Sequence, residues 1–211
     1  MTKTSQKWFF AALLVCALGA AAAICVLRHR NLPVAAMAVE TEAPRPATPA
    51  PASGPEFRRD ALVLREGRYY RPDDPVPFAG VVTACYPGGQ RQYRCGVSNG
   101  LLEGLSEGWY SNGLKQVDEP FRAGVSHGVR VKWYENGRKQ SEVNIVTGKL
   151  AGVFRRWYDT GALAEEVHMR NGNPDGVARS FYPSGHLKGE AHLKDGQLVD
   201  QKQWADGESR P

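Results

Sequence analysis

The chain has 211 residues, which is enough for one ordinary domain with appendages. Its formal net charge is +5, and residues 57–211 carry 22 basic and 19 acidic side chains, a formal charge of +3. These charges are interspersed, whereas nucleic-acid binding usually requires a concentrated basic stripe. The composition therefore argues against a nucleic-acid partner.

The N-terminus consists of a short tail, residues 1–7, and an uncharged apolar run over residues 8–27 that has basic residues on both sides. Twenty residues of helix are long enough to cross the hydrocarbon core of a membrane. A secretory signal has a shorter apolar centre followed by a small-residue cleavage site. We therefore predict an uncleaved single-pass anchor, with a cleaved signal peptide and a buried soluble helix as alternatives.

A linker follows at residues 28–56, in which proline alternates with small residues from Thr41 to Glu56. Such a stretch forms an extended, semi-stiff spacer rather than a core. Basic residues on both sides of the anchor leave its orientation weakly determined, but a short N-terminal tail is easily kept in the cytoplasm. We predict a location in a bacterial inner membrane, with the folded domain on the periplasmic side.

The folded part is a repeat with a period of 24 residues. The copies span residues 80–103, 104–127, 128–151, 152–175 and 176–199, and a partial closing copy extends to residue 207 before a tail at 208–211. Each copy begins with a glycine, namely Gly80, Gly104, Gly128, Gly152 and Gly176. A regular period of this length is typical of one small unit stacked on itself.

The third copy shows why each unit should be a β-hairpin. Val129, Val131 and Trp133 alternate with polar residues, which is the period of a strand. Glycine at position 137 then suits a three-residue turn in which the last residue is left-handed. If the strands pair without interruption, Trp133 opposes Lys139 and Arg130 opposes Glu142 as a cross-strand ion pair.

The same register, applied to every copy, predicts an all-β fold: an elongated antiparallel meander of about ten strands, one hairpin per repeat. One face should carry the apolar columns, which are Val81, Leu105, Val129, Val153 and Val177; Cys85, Trp109, Trp133, Trp157 and Phe181; and Val97, Phe121, Ile145, Met169 and Leu193. The other should carry the tyrosines with an acidic column, Asp118, Glu142, Glu166 and Glu190, which Arg94 interrupts in the first copy.

The two ends of this sheet need protection, because unpaired edge strands invite aggregation. A leading segment, residues 57–79, contains Tyr69, Tyr70 and three prolines that should blunt the first edge. At the other end Trp204 begins a shortened sixth copy that should close the last edge.

The repeated unit, G-x-x-x-x-[W/F]-Y-x-x-G followed by a strand and a second glycine turn, resembles the bacterial variant of the MORN repeat over about residues 65–207. With Gly67, Tyr69, Tyr70 and the stretch 77–80 (Pro-Phe-Ala-Gly), the chain is also similar to proteins grouped as YwqK-family antitoxins. The resemblance implies a hairpin array without catalytic residues that binds proteins or membrane lipids. The anchor and linker distinguish this chain from soluble members.

The repeated aromatic pairs are the main candidates for binding, since Tyr and Trp are enriched at interfaces. The partner-binding candidates are Tyr86, Tyr110, Tyr134, Tyr158 and Tyr182. We assign a structural role to the repeat glycines and to Trp109, Trp133, Trp157 and Phe181. Packing between neighbouring hairpins is the alternative role for the tyrosines as well.

Other reactive residues do not assemble into a site in this register. Cys85 and Cys95 are about 13 Å apart along the ladder, too far for a disulfide, and both thiols should be buried. His168 and His192 lie two strands apart, about 10 Å, farther than metal ligands can converge. We expect no catalytic residues, metal or cofactor.

Three functions remain open from the sequence. The first is a non-enzymatic, membrane-anchored scaffold that binds another protein, with self-association into a homo-oligomer as a further option. The second is an antitoxin-like neutraliser of a toxin. The third is an envelope scaffold that binds lipid or cell wall directly.

Overall fold

The computed structural model describes residues 53–208. The predicted tail at 1–7, the anchor at 8–27, most of the 28–56 linker and the end of the 208–211 tail lie outside the described residues. Within residues 53–208 there is no helix that is long and apolar enough to span a membrane.

The described residues form β-strands and one short 3-10 helix, Arg59–Ala61. In chain order the strands are β1 (Glu56–Arg58), β2 (Val63–Arg65), β3 (Arg68–Tyr70), β4 (Gly80–Cys85), β5 (Arg91–Ser98), β6 (Leu101–Trp109), β7 (Lys115–Arg122), β8 (Val125–Ser126), β9 (Gly128–Trp133), β10 (Lys139–Val146), β11 (Lys149–Trp157), β12 (Leu163–Arg170), β13 (Asn173–Phe181), β14 (Leu187–Lys194) and β15 (Gln197–Gln203).

Within residues 53–208, thirteen strands belong to one long sheet, and β2 and β3 form a separate hairpin. From β4 to β15 the pairing is antiparallel and follows chain order, except that the two-residue β8 pairs only with β7. The ten strands predicted for the five copies are therefore present, and β1, β8 and β15 extend the sheet. The all-β fold and the antiparallel meander are confirmed.

Two kinds of turn connect the strands. Within a copy, the tyrosine amide donates to the carbonyl four residues later, as Tyr134 does to Arg138 at 2.9 Å, and Gly137 adopts a φ of 80°. Between copies, two consecutive residues are left-handed, such as Thr147 and Gly148 at 51° and 78°. Two left-handed residues define the tight turn that matches the natural twist of a hairpin.

A β-bulge just after each tyrosine turn changes the predicted register. Trp133 does oppose Lys139, but one residue is then skipped, so Ser141 opposes Lys132 and Glu142 opposes Val131. The same shift recurs in every copy, and the skipped residues are Gln92, Gln116, Gln140, Ala164 and Lys188. A one-residue shift moves every later side chain to the opposite face.

The predicted ion pair between Arg130 and Glu142 is therefore wrong. Arg130 opposes Val143, and its guanidinium instead lies 3.5 Å from Glu119 of β7. Glu142 is paired with Lys139 at 2.6 Å.

The predicted division of side chains between the two faces is wrong for the second strand of each copy. In β6, Leu105 and Trp109 share a face, as predicted, and Glu107 lies between them on the same face. Glu107 opposes Asp118, so the acidic column lies on the tryptophan side and not on the tyrosine side as predicted. We call this side the charged face.

The opposite side, which we call the tyrosine face, carries the second-strand apolar column that was predicted beside the tryptophans. Val97 packs there with Phe78, Val82 and Cys95. Farther along, Met169 packs with Phe154, Val167 and Ala178. The bulge is the physical reason, because it inverts the alternation between the tryptophan and the end of the second strand.

The leading segment covers the tyrosine face only at its first copy. Phe57, Leu62 and Tyr69 pack there, and the Phe57 and Phe78 rings meet edge-to-face with centroids 5.1 Å apart. The edge of β4 is protected by a paired strand as well as by the prolines of the leading segment, because β1 pairs with β4 in parallel. At the other end β15 is the last strand, and the Trp204 amide donates to the Lys188 carbonyl.

Candidate binding surface on the tyrosine face

The five repeat tyrosines form a ladder that links successive copies. Each hydroxyl donates a hydrogen bond to the backbone carbonyl of the large aromatic residue in the next copy. These bonds are Tyr86 to Trp109 at 2.9 Å, Tyr110 to Trp133 at 2.7 Å, Tyr134 to Trp157 at 2.8 Å, Tyr158 to Phe181 at 2.8 Å and Tyr182 to Trp204 at 3.1 Å. The hydroxyls thus have a structural role, and the half-buried rings remain for contact with a partner.

Burial raises the phenol pKa of two ladder residues, Tyr110 and Tyr134. It raises the pKa of Tyr134, and the nearby Arg156 guanidinium partly opposes that rise. Burial also raises the pKa of Tyr110, with a smaller contribution from Glu135. Both side chains are therefore neutral hydrogen-bond donors at physiological pH, as the ladder requires.

The repeat tryptophans lie on the charged face, where cations cover Trp109 and Trp157. Lys115 Nζ is 4.8 Å from the ring centroid of Trp109, and Lys139 Nζ is 5.3 Å from that of Trp157. Trp109, Trp133, Trp157 and Phe181 are all half-buried. Their position as a repeated column is as predicted, but their surroundings are ionic rather than purely apolar.

The charged face neutralises its own charges. A lateral row of paired residues crosses the strands, namely Arg94, Glu107, Asp118, Val131, Glu142, Arg155, Glu166, Arg179, Glu190 and Lys202. Opposite charges meet at 2.8 Å between Arg155 and Glu166 and at 2.8 Å between Arg179 and Glu190. Lys115 joins Glu107 and Asp118 at 2.5 and 2.7 Å.

The tyrosine face has a different row one residue away, in which Lys132 opposes both Val117 and Ser141, and Ser141 opposes Arg156. Arg156 is held by Glu165, with its Nε 2.9 Å from the carboxylate. Lys132 has no hydrogen bond or ion pair with another described residue. Burial, followed by the nearby charge of Arg130, lowers the pKa of its ammonium group, and the carboxylate of Glu119 partly opposes this.

No second layer covers this row within residues 53–208, because the elements of the sheet contact chiefly their neighbours in order. Val143 and Ile145 are nevertheless only 2% exposed. Neighbouring side chains of the same face therefore bury them, and the long arms of Arg130, Lys132 and Arg156 are suited to that role. The surface combines tyrosine rings with cations over an apolar floor.

Sequence reasoning did not select Lys132, Ser141 or Arg156. The repeat itself contains a signal, because the position before the large aromatic residue varies among the copies while the tyrosine two residues after that position recurs in all five. That position is occupied by Ala84, Gly108, Lys132, Arg156 and Ser180. A side chain that departs from the repeat is not required by the architecture, and only the third and fourth copies place a cation there.

The two cysteines lie on opposite faces, since Cys85 opposes Arg91 and Cys95 opposes Val82. Both are free thiols. Cys95 is buried as predicted, but Cys85 is exposed, so that half of the prediction is wrong. The bulge between the turn and Cys95 separates them.

His168 and His192 are both exposed, and His192 Nδ1 lies 2.7 Å from Asp200. Among the described residues no group of three His, Cys, Asp or Glu side chains could hold a metal ion. Ser184 and His186 of the last tyrosine turn meet Asp206 of the turn after β15, and all three residues are exposed. The serine hydroxyl and the Asp206 carboxylate both approach Nδ1 of His186, at 3.1 and 3.0 Å. A catalytic relay would place the two groups on opposite ring nitrogens.

Comparison with known proteins identifies the repeat in one copy. A family profile described as MORN repeat variant matches residues 174–195. The fifth copy is a MORN-type repeat. The match spans β13 and β14 with their bulged tyrosine turn, which is the unit that the other four copies share. A comparison with curated proteins finds no match.

Proposed function

We propose that this protein is a non-catalytic scaffold whose MORN-type hairpin array binds another protein on the tyrosine face. The main support is the uncovered row of half-buried tyrosine rings and cations in the third and fourth copies. Aromatic and arginine side chains over an apolar floor are the groups that dominate protein interfaces. The charged face is a weaker candidate because its ions already pair with one another.

We also propose that residues 8–27 anchor the chain in a bacterial inner membrane and that the array is periplasmic. The uncharged apolar run and the Pro/Ala-rich linker support this placement. Fusions of alkaline phosphatase and of a fluorescent protein after Pro211 test it. Phosphatase activity without fluorescence is expected, and the reverse result would place the array in the cytoplasm.

The resemblance to YwqK-family antitoxins supports a second candidate, neutralisation of a toxin by the same face. A cytosolic toxin could be reached only from a cytoplasmic array, so the fusion experiment also separates the two candidates. Binding of lipid or cell wall is the third candidate. It is tested by sedimentation of the full chain with liposomes and with peptidoglycan.

Photo-crosslinking tests the binding surface directly. Benzoylphenylalanine is placed at Tyr134 on the tyrosine face and, as the matched control, at Val177 on the charged face, in the full chain within native membranes. A discrete crosslinked product from position 134 and none from position 177 is expected. Equal products from both positions, or none from position 134, would contradict the proposal.

A further inference from the structure

Two cations on the tyrosine face, Arg130 and Lys132, share one carboxylate, Glu119. Arg130 lies 3.5 Å from Glu119, and Arg156 lies 2.9 Å from Glu165. Lys132 makes no ion pair of its own and is attracted to Glu119 only at longer range, so the group carries one cation in excess. Lys132 is half-buried, so solvent compensates its charge only in part. A half-buried charge without an ion pair is costly, and an incoming anion would relieve that cost.

Donors converge around this position. Ser141 lies between Lys132 and Arg156 in the lateral row, and the two cations are two strands apart, about 10 Å between backbones. Long Lys and Arg side chains can both reach a group placed above Ser141. Arg156 uses its Nε for Glu165, and its other N–H groups have no described acceptor.

Building on the proposed function, we propose that Lys132, Ser141 and Arg156 form a receptor for one carboxylate side chain of the partner protein. Lys132 supplies the unmatched charge, the Ser141 hydroxyl supplies a donor, and Arg156, held by Glu165, supplies further N–H groups. The Tyr134 ring borders the site and packs against the apolar part of the partner segment.

The local charge favours an acidic protein segment over a membrane surface. Three cations and two carboxylates occupy these rows, a net charge of one. Anionic membranes are recognised by clusters of four to eight Lys and Arg residues at the surface. One excess charge that is half-buried between strands instead matches one carboxylate.

The first test compares Lys132→Met with Lys149→Met, the matched control at an exposed lysine of β11. Each is made in the full chain with the photo-crosslinker at Tyr134. Lys132→Met should reduce the crosslink yield about tenfold or more, as expected for loss of a charge-assisted contact. Lys149→Met should leave it unchanged. A crosslink that persists in Lys132→Met would refute the carboxylate receptor while leaving the scaffold function intact, whereas no crosslink from the parent chain would refute the function.

Urea unfolding distinguishes binding from folding. Since Lys132→Met removes an unmatched charge and keeps the apolar arm, its unfolding midpoint should be equal to or higher than that of the parent. A lower midpoint would assign Lys132 a structural role and overturn the proposal. Arg156 is unsuitable for this test because its removal leaves Glu165 unpaired.

A charge exchange identifies the occupant. The partner segment that crosslinks to position 134 is mapped by mass spectrometry. Each Asp or Glu of that segment is then changed to Lys, and each of these partner variants is tested with the Lys132→Glu chain. Restored crosslinking by one exchange supports the proposal. Failure of every exchange, or binding of phosphatidylglycerol vesicles or inorganic phosphate that Lys132→Met abolishes, would overturn it.

Discussion

The hydroxyl of Tyr134 donates a hydrogen bond to the backbone carbonyl of Trp157, 23 residues later in the chain and 2.8 Å away. Four further tyrosines make the equivalent bond. The period of 24 residues thus brings the tyrosine of one copy next to the large aromatic residue of the following copy. Stacked repeats gain much of their stability from such contacts between neighbours.

Removal of one tyrosine hydrogen bond from the ladder should lower the stability of the array measurably. Tyr134→Phe keeps the ring and deletes the donor, leaving the Trp157 carbonyl without it, so the free energy of unfolding should fall by about 1 kcal/mol. Urea unfolding provides the measurement. Tyr70→Phe is the control, because the Tyr70 hydroxyl has no hydrogen bond to a described residue. Equal loss in both variants would contradict the structural role of the ladder.

The tyrosine turn of the first copy offers a test of backbone conformation at two adjacent glycines. Gly89 has a φ of 84° with open space around it, so Gly89→Ala should cost about 1–2 kcal/mol through left-handed strain alone. At Gly88 an added methyl group would meet only the mobile amide of Gln90. Gly88→Ala should therefore be close to neutral in thermal unfolding, and similar losses at both positions would show that the turn is not the cause.

Stability should fall at alkaline pH because of Cys95. Burial raises the pKa of its thiol from 9.0 to about 11. As the pH rises above 9, the unfolded chain loses this proton while the folded chain keeps it, which favours unfolding by up to about 1.4 kcal/mol per pH unit. The contribution of Cys95 to the free energy of unfolding is therefore fully present below pH 9 and is lost as the pH rises toward 11.

Chemical unfolding at pH 8, 9 and 10 should show a slope that Cys95→Ala reduces. The exposed Cys85 provides the control, and Cys85→Ala should retain the parent slope. The window ends at pH 10 because Tyr93, beside Cys95, also has its pKa raised by burial and contributes above that value. Identical slopes in the parent and Cys95→Ala would exclude the thiol as the cause.

The ion pair between Arg156 and Glu165 should matter more than an exposed pair. The side chains are 29% and 12% exposed, and their hydrogen bond raises the pKa of Arg156. Glu165→Gln preserves the shape but removes the charge, so it should cost about 1–2 kcal/mol in urea unfolding. Asp60→Asn breaks a pair whose members are 70% and 68% exposed and should produce no measurable change. A larger effect at Asp60 would contradict the importance of burial.

Much of the fold could be predicted because the strands and turns of each repeat depend on the preferences of a few neighbouring residues. Alternation of apolar residues up to Trp133 indicates a strand, and glycine at position 137 indicates a left-handed turn residue. Both depend on only a few neighbouring residues, and both are confirmed. The sequence also indicates that a sixth copy begins at Trp204, and the Trp204 carbonyl accepts the hydrogen bond from the Tyr182 hydroxyl.

The distribution of side chains between the faces could not be predicted in the same way. Gln140 and its counterparts resemble ordinary strand residues, yet each is an extra residue in a bulge. Alternation gives no sign of such an insertion, so the predicted faces are wrong for the rest of the second strand in each copy. Lys132 and Arg156 were missed because their surroundings depend on this corrected register.

The sequence by itself determined the unit: its period, its two turns and the order of its strands, because these follow from steric preferences over short stretches. It also predicts the anchor at residues 8–27 from length and hydropathy. Only the tertiary structure decided which side chains share a face, because one bulged residue per hairpin reverses the alternation. That reversal places the tryptophans among paired ions and leaves Lys132 unmatched beside Tyr134.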